Sequence, residues 1–206
     1  MADLSGSGNS FAPGLAAPCN CRVSSVLFGV PDPILLHPNG LPKLNPTKVQ
    51  MPKLDLTTIA VKIGSDYPAP FHQPIAQRMR QRLGDAARLT QFGVNRVELP
   101  PGCWSGQRHW HAAEDEFVYV IAGEVVLVTD AVEEVLRAGD CAAFPANTPN
   151  AHHLVNRSAA AAVCLEVGTR SADDRVVYAD IDMVYEAGAD GYFQKDGTAY
   201  PTKEKS

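Results

Sequence analysis

The amino-acid sequence predicts an all-β protein, an antiparallel sandwich or closed barrel, on three observations. Short runs of β-branched and aromatic residues recur between residues 91 and 168, with turn residues between them. Helical segments do not alternate with these runs, which disfavours a parallel α/β sheet. A histidine pair one residue apart, His109 and His111, can share a face only on a strand, where side chains repeat every two residues.

Bulk properties set the frame for these elements. The chain has 206 residues, 45% of them apolar and 20% charged, enough for one domain with an extension. A net charge of −5 gives no reason to expect nucleic acid or an anionic membrane as partner. No apolar run is long enough to span a bilayer. The opening MADLSGSGNSFAPG lacks a basic region followed by an apolar one, so a cytoplasmic location is expected. Five cysteines, an odd number, argue against a complete disulfide framework. Cys19 and Cys21 form a C-x-C with no second pair to complete the four donors of a zinc site. Cys103, Cys141 and Cys164 have apolar neighbours and read as small core residues.

Taken in order, residues 1–55 form a Pro/Gly-rich extension whose fixed φ angles and missing donors suit neither helix nor sheet interior. Its apolar patches Val26-Leu27-Phe28 and Ile34-Leu35-Leu36 favour draping over a neighbour, and His37 reads as a surface residue. Residues 56–195 form the barrel domain, with residues 92–168 as its core. Leu56 to Ile63 is β-branched and bounded by Gly64-Ser65-Asp66, a first strand. The next segment, QPIAQRMRQRLGDAARL, has helix-forming composition, yet Arg78, Arg80 and Arg82 alternate at period two as on a strand. Such a face is more often a solvated edge or a subunit contact with paired acids than an anion grip. Strands follow at FGVNRVEL, GQRHWH, EFVYVIA, EVVLVTD, EEVLR, CAAF, HHLVN and AAVCLEVG. After Arg170 comes a weak strand, RVVYADIDMV, and aromatics (Tyr178, Tyr185, Tyr192, Phe193, Tyr200) that should pack back onto the body. Residues 196–206 read as a polar tail.

Strand parity puts His109 and His111 on one face with Gln107, and Trp110 on the other as a packing residue. A same-face imidazole pair beside a carboxylate is a metal-ligand arrangement. The small, polar stretch Ala112 to Asp115 marks a corner. A corner resets parity, which lets Glu116, first residue of the next strand, point back in and leaves Glu114 and Asp115 as solvated turn residues.

His109, His111, Glu116 and Gly123 carry the spacing His-x-His, four residues, Glu, six residues, Gly, which resembles the first motif of the cupin superfamily. Gly139 and Pro145 resemble the start of its second motif, and His152 and Asn156 its end. The wording of the segment also looks like single-domain bacterial cupins, mostly without assigned reactions. The resemblance implies a small antiparallel jelly-roll barrel with a metal held by His109, His111, Glu116 and a second-motif histidine.

Three departures stand out: the glycine before the first histidine is displaced, at Gly102; Asn147 replaces a glycine; and the loop from Pro145 to His152 is two residues longer. Asn accepts positive φ better than most residues. The longer loop leaves His152 or His153 as fourth ligand, and the spacing to Asn156 favours His152. Three histidines and a glutamate converging in a small barrel without an ion would leave buried polar groups unpaired. One divalent first-row metal (Mn, Fe, Co, Ni or Zn) is therefore expected, and no organic cofactor.

The resemblance further implies a small-molecule substrate, an enzyme of the sugar-phosphate isomerase or epimerase, dioxygenase or lyase kind, and a homodimer. The alternative is a small-ligand-binding or sensing protein without turnover. Gln107, Tyr119 and His153 are candidates for lining the substrate site.

Overall fold

The computed structural model describes residues 53–201. Most of the N-terminal extension, with His37, Cys19 and Cys21, and the last five residues lie outside that range.

Among the described residues, twelve antiparallel strands form two facing layers. β1 (Val61–Ile63), β2 (Met79–Arg82), β3 (Phe92–Leu99), β5 (Glu116–Ala122), β8 (Cys141–Phe144) and β10 (Ala162–Thr169) make one sheet in the order β1-β2-β3-β10-β5-β8. The second layer consists of two three-stranded sheets. One holds β4 (His109–His111), β11 (Arg175–Tyr178) and β12 (Val184–Glu186) in the order β12-β11-β4. The other holds β6 (Glu124–Val128), β7 (Glu133–Arg137) and β9 (His153–Val155) in the order β7-β6-β9. A bridge between His109 and His152, with reciprocal main-chain hydrogen bonds of 3.1 and 2.8 Å, joins them. The strand pattern predicts this antiparallel all-β architecture, and the motif resemblance implies its jelly-roll form.

Two local expectations need correction. Leu56 to Ile63 is not one strand: Asp55 caps a 3-10 turn over Leu56–Thr58 through the Thr57 amide, so only Val61–Ile63 pairs. The ambiguous segment resolves into a 3-10 turn, the strand β2, and a single helical turn at Leu83–Ala86. Pairing with β3 decides for strand at the arginines, because tertiary context overrides local propensity.

Phe193 bridges Ala199, and Tyr200 packs with Phe71, Tyr178, Tyr185 and Tyr192 around Tyr67, Ile75 and Met183. The aromatics thus pack back as anticipated.

The inner face of the large sheet has two halves. At one end Val97, Leu99, Val118, Val120, Ala162 and Cys164 pack against Val125, Leu127, Leu136 and Leu154 of the opposite layer. At the other end the same parity continues into polar residues. Arg82 stands opposite Asn95, Asn95 opposite Glu166, and Gly168 opposite both Gly93 and Glu116. Hydrophobic burial closes one end of the barrel, and a cavity opens at the other.

Two turn positions show why their residues are required. Gly123 has φ 73°, and a Cβ there would sit 2.8 Å from the Ala161 carbonyl oxygen. Asn147 has φ 55°, the left-handed conformation expected of the residue standing in for glycine. No helix among the described residues is long and apolar enough to cross a membrane.

Candidate metal centre

β4 pairs with β11 so that His111 faces Val176 and His109 faces Tyr178, both buried, while Trp110 pairs with Val177 on the other side. The two imidazoles therefore point into the cavity, as the period of two requires. The chain turns a corner at Ala112 to Asp115, and Glu116 opens β5 with its side chain on the same inner face as Val118 and Val120. His152 arrives beside β9, fixed by the main-chain bridge to His109.

Three ring nitrogens meet one carboxylate oxygen. Glu116 Oε2 lies 2.9 Å from His152 Nε2, 3.5 Å from His111 Nε2 and 3.6 Å from His109 Nε2. Ligand atoms of His109, His111 and Glu116 all fall within 4.8 Å of one another. Adjacent donors on an ion with bonds of about 2.1 Å are separated by about 3 Å, so this donor set fits a divalent metal.

Hydrogen bonds on the far side of the rings point to the same conclusion. His109 Nδ1 is 2.8 Å from the Gln107 carbonyl oxygen, and His111 Nδ1 is 2.7 Å from Asp174 Oδ2. Both partners only accept, so both Nδ1 atoms carry the proton. In the neutral rings each Nε2 then turns a lone pair toward the Glu116 carboxylate, an arrangement that calls for a cation between them. His152 differs: its Nδ1 is buried without a hydrogen-bond partner, so Nε2 carries the proton and donates it to Glu116, and His152 can ligate only once that proton has left Nε2. Phe144 stacks flat on the His152 ring, centroids 3.4 Å apart.

Burial pushes the His109 pKa down to about 4, outweighing the attraction of Glu116, and keeps the ring neutral at pH 7. Burial alone would raise the Glu116 carboxyl. The hydrogen bond from His152, together with the charges the three rings carry once protonated, outweighs it, holding Glu116 well below the usual carboxylate range. Neutral imidazole and ionised carboxylate are the states a metal needs.

The other candidates fall away from the cavity. Gln107 is buried, and its amide donates to the Phe71 carbonyl at 2.7 Å; only its own carbonyl serves the site, by orienting His109. Tyr119 lies on the outer face of β5, 41% exposed, because it shares parity with Phe117 rather than Glu116. His153 points away from His152: its Nδ1 bonds the Gly106 carbonyl and its ring packs edge-on against Trp104. None of these three is among the residues that line the cavity at His109 and His111.

Sequence reasoning missed two residues and misplaced a third. Asp174, buried, accepts from His111 Nδ1 and from the Ala113 amide at 2.9 Å. Tyr178 lines the cavity beside His109, and burial with neighbouring Tyr67 and Tyr192 keeps its hydroxyl protonated. Glu114, expected to be solvated, is half-buried on the cavity wall. Its Oε1 accepts from the Ser171 amide at 2.8 Å, and burial raises its pKa. The spacing of Asp174 from His111 carries no motif; only the pairing of β11 with β4 brings them together.

A sugar phosphate isomerase of the cupin superfamily from Silicibacter pomeroyi is 47% identical to this chain. It covers 73% of this chain, is itself covered over 97% of its length, and superposes with a TM-score of 0.69. The chain belongs to the cupin superfamily. The cupin domain family model matches residues 95–168. A candidate sugar phosphate isomerase from Acidithiobacillus ferrooxidans is similar at 28% identity, over 62% of this cupin and 83% of that chain, with a TM-score of 0.54. No curated protein matches the chain.

Proposed function

We propose that this cupin is a metal-dependent enzyme acting on a small oxygenated metabolite, with sugar-phosphate isomerisation or epimerisation as the leading chemistry. The observation that carries the reading is the convergence of His109, His111 and Glu116 at the end of a cavity of about 560 Å³, a volume suited to a small metabolite, with His152 Nε2 2.9 Å from the Glu116 carboxylate. The 47% identity to a sugar phosphate isomerase supports the reaction class. His109, His111, Glu116 and His152 would hold one divalent first-row ion, Mn, Fe, Co, Ni or Zn. When bound, such an ion supplies Lewis-acid polarisation of a carbonyl or hydroxyl oxygen.

The protein's own groups supply the rest. Asp174 and the Gln107 carbonyl hold His111 and His109 in the ligating tautomer. Glu114, half-buried at the cavity wall with a raised pKa, is suited to take a proton from carbon and return it to the neighbouring carbon. Tyr178 stays protonated and can donate a hydrogen bond to a substrate oxygen. The aromatic side chains of Tyr67, Tyr178 and Tyr192 exclude water from that end.

The same reading includes a homodimer formed through the outer face of the large sheet, where Phe92, Phe117, Tyr119 and Ile121 are 39–48% exposed. It also places the protein in the cytoplasm, a reducing compartment that suits the exposed free Cys141.

Elemental analysis of full-length protein purified without added metal tests the centre. Near one first-row metal per chain is expected, falling to background in His109→Ala with the fold kept, as circular dichroism would show. Protein that neither carries nor takes up metal overturns the reading. Metal-loaded protein that binds sugar phosphates without product would make it a binding protein.

A further inference from the structure

The cavity that ends at the histidines has a second wall, built from the arginine row. Arg78, Arg80 and Arg82 all line it, with Lys62 from β1 and Asn95 from β3. This corrects the expectation of a solvated edge: the period-two face of β2 points into the barrel, not out of it.

Lys62 pairs with Asp66, Arg80 with Glu166 and Arg82 with Asp85, while Arg78 has no carboxylate of its own among the described residues. Arg78 is only 5% exposed, and among the described residues its guanidinium has main-chain carbonyls as hydrogen-bond partners, those of Ser105 and Gly64. It forms no ion pair among those residues, although a buried charge is normally paired. Arg80 pairs with Glu166 at 3.2 Å, and that same carboxylate is the acid acting on Arg78. One acid thus serves two guanidinium groups. The Nε atoms of Arg78 and Arg80 are both buried without a hydrogen-bond partner. Arg82 reaches Asp85 at 3.7 Å and remains more than half exposed at the cavity mouth. Buried guanidinium donors without acceptors cost free energy that an incoming anion would recover.

The sheet register relates this wall to the metal end. Arg82, Asn95 and Glu166 stand side by side on β2, β3 and β10, one pair-step along from Gly93, Gly168 and Glu116. The two glycines leave the floor between the walls without side chains. β2 and β5 are three strand spacings apart, about 14 Å between backbones. The side chains entering from each side leave room for a chain of a few carbon atoms.

We propose that Arg80 and Arg82, backed by Arg78, form an oxyanion-binding subsite that takes the phosphate of a phosphorylated substrate. The substrate's oxygenated carbons then lie toward His109, His111 and Glu116. Arginine forks suit this geometry, since they bind phosphate through paired N–H donors. The assignment rests on the cavity being the substrate pocket and explains why a polar, cationic wall is retained inside a small barrel.

The test is calorimetric titration of inorganic phosphate into the full-length, chelator-treated protein, alongside Arg80→Gln, Arg82→Gln and, as a charge control away from the cavity, Arg157→Gln. Saturable binding is expected, weakened about 10- to 100-fold in each cavity arginine variant and unchanged in Arg157→Gln. Arg82 is exposed enough for its variant to fold if Arg80→Gln, which strands Glu166, does not. No saturable binding by the parent protein, or equal affinity in Arg82→Gln, overturns the subsite. Metal content of the same preparations before chelation, and metal uptake after it, keep the two readings apart. Phosphate binding that fails in a protein with a full metal complement refutes only the arginine subsite. Phosphate binding in a protein that takes no metal refutes only the metal enzyme.

Discussion

Asp174→Asn should damage metal binding out of proportion to its small change in shape. Asp174 uses both oxygens, Oδ1 on the Ala113 amide at 2.9 Å and Oδ2 on His111 Nδ1 at 2.7 Å, and the residue is 5% exposed. Asparagine offers one acceptor and one NH₂ in that space. The Ala113 amide can only donate, so it claims the asparagine oxygen and leaves the NH₂ facing His111 Nδ1. That nitrogen must then accept, which moves the ring proton to Nε2, the atom that points at Glu116. A protonated Nε2 cannot ligate. Outer partners of this kind are worth about 10- to 100-fold in metal affinity, about 1.4–2.7 kcal/mol. Competition between protein and a chelator of known affinity for cobalt(II) or zinc, at fixed pH, reads that loss directly. Nitrogen chemical shifts of His111 in the metal-free variant should show the proton moved from Nδ1 to Nε2. Metal affinity equal to the parent, with the His111 tautomer unchanged, would refute the assignment of Asp174 as a positioning residue.

Two further outcomes follow from the geometry. Gly123→Ala places a Cβ 2.8 Å from the Ala161 carbonyl oxygen and 2.9 Å from Ala162 Cα, at φ 73°. At least about 2 kcal/mol of stability, or about 4–8 °C in Tm, should be lost in thermal unfolding. In metal-free protein, stability should fall on acidification between pH 6.5 and about 4. His109 has a folded-state pKa of about 4 against 6.5 unfolded, so the unfolded chain takes up the proton first. Its contribution is complete above pH 6.5 and is lost toward pH 4, by up to about 3 kcal/mol. The lowered Glu116 carboxyl adds a loss of the same sign at lower pH. Urea melts across that range check the slope, and a flat profile would show that His109 is not buried in the neutral form.

The barrel strands were readable because each occupies one period-two run closed by a turn. β3, β5 and β7 have the bounds their sequences suggest. Parity alone places His109 and His111 together and Trp110 apart. The corner at Ala112 to Asp115 was legible as a composition change, and Glu116 follows from it. Long-range pairing was not legible. RVVYADIDMV looks like a weak terminal strand, yet it supplies β11, the neighbour of β4, and with it Tyr178 and the buried loop residue Asp174. Tyr119 fails for the converse reason. Residue type alone suggests it for the site, while its position, odd-numbered on a strand whose even-numbered residues face inward, places it outside. Period marks Arg80 and Arg82 as one face, but which side of β2 faces the barrel depends on the pairing with β3.

The bridge between His109 and His152 has a mechanical meaning. The two residues that tie β4 to β9 through their main chains carry ring nitrogens that face Glu116 on β5, in the opposing layer. An ion held there would clasp both layers of the jelly roll at its open end, where the apolar core no longer reaches. Occupancy at 100 times the dissociation constant adds about 2.7 kcal/mol to stability by mass action alone. Half-closed barrels, in which β9 has not yet met β4, could not present the set. Loading would then depend on that bridge: only a chain in which β4 and the segment before β9 are joined could present His109 and His152 to one ion together.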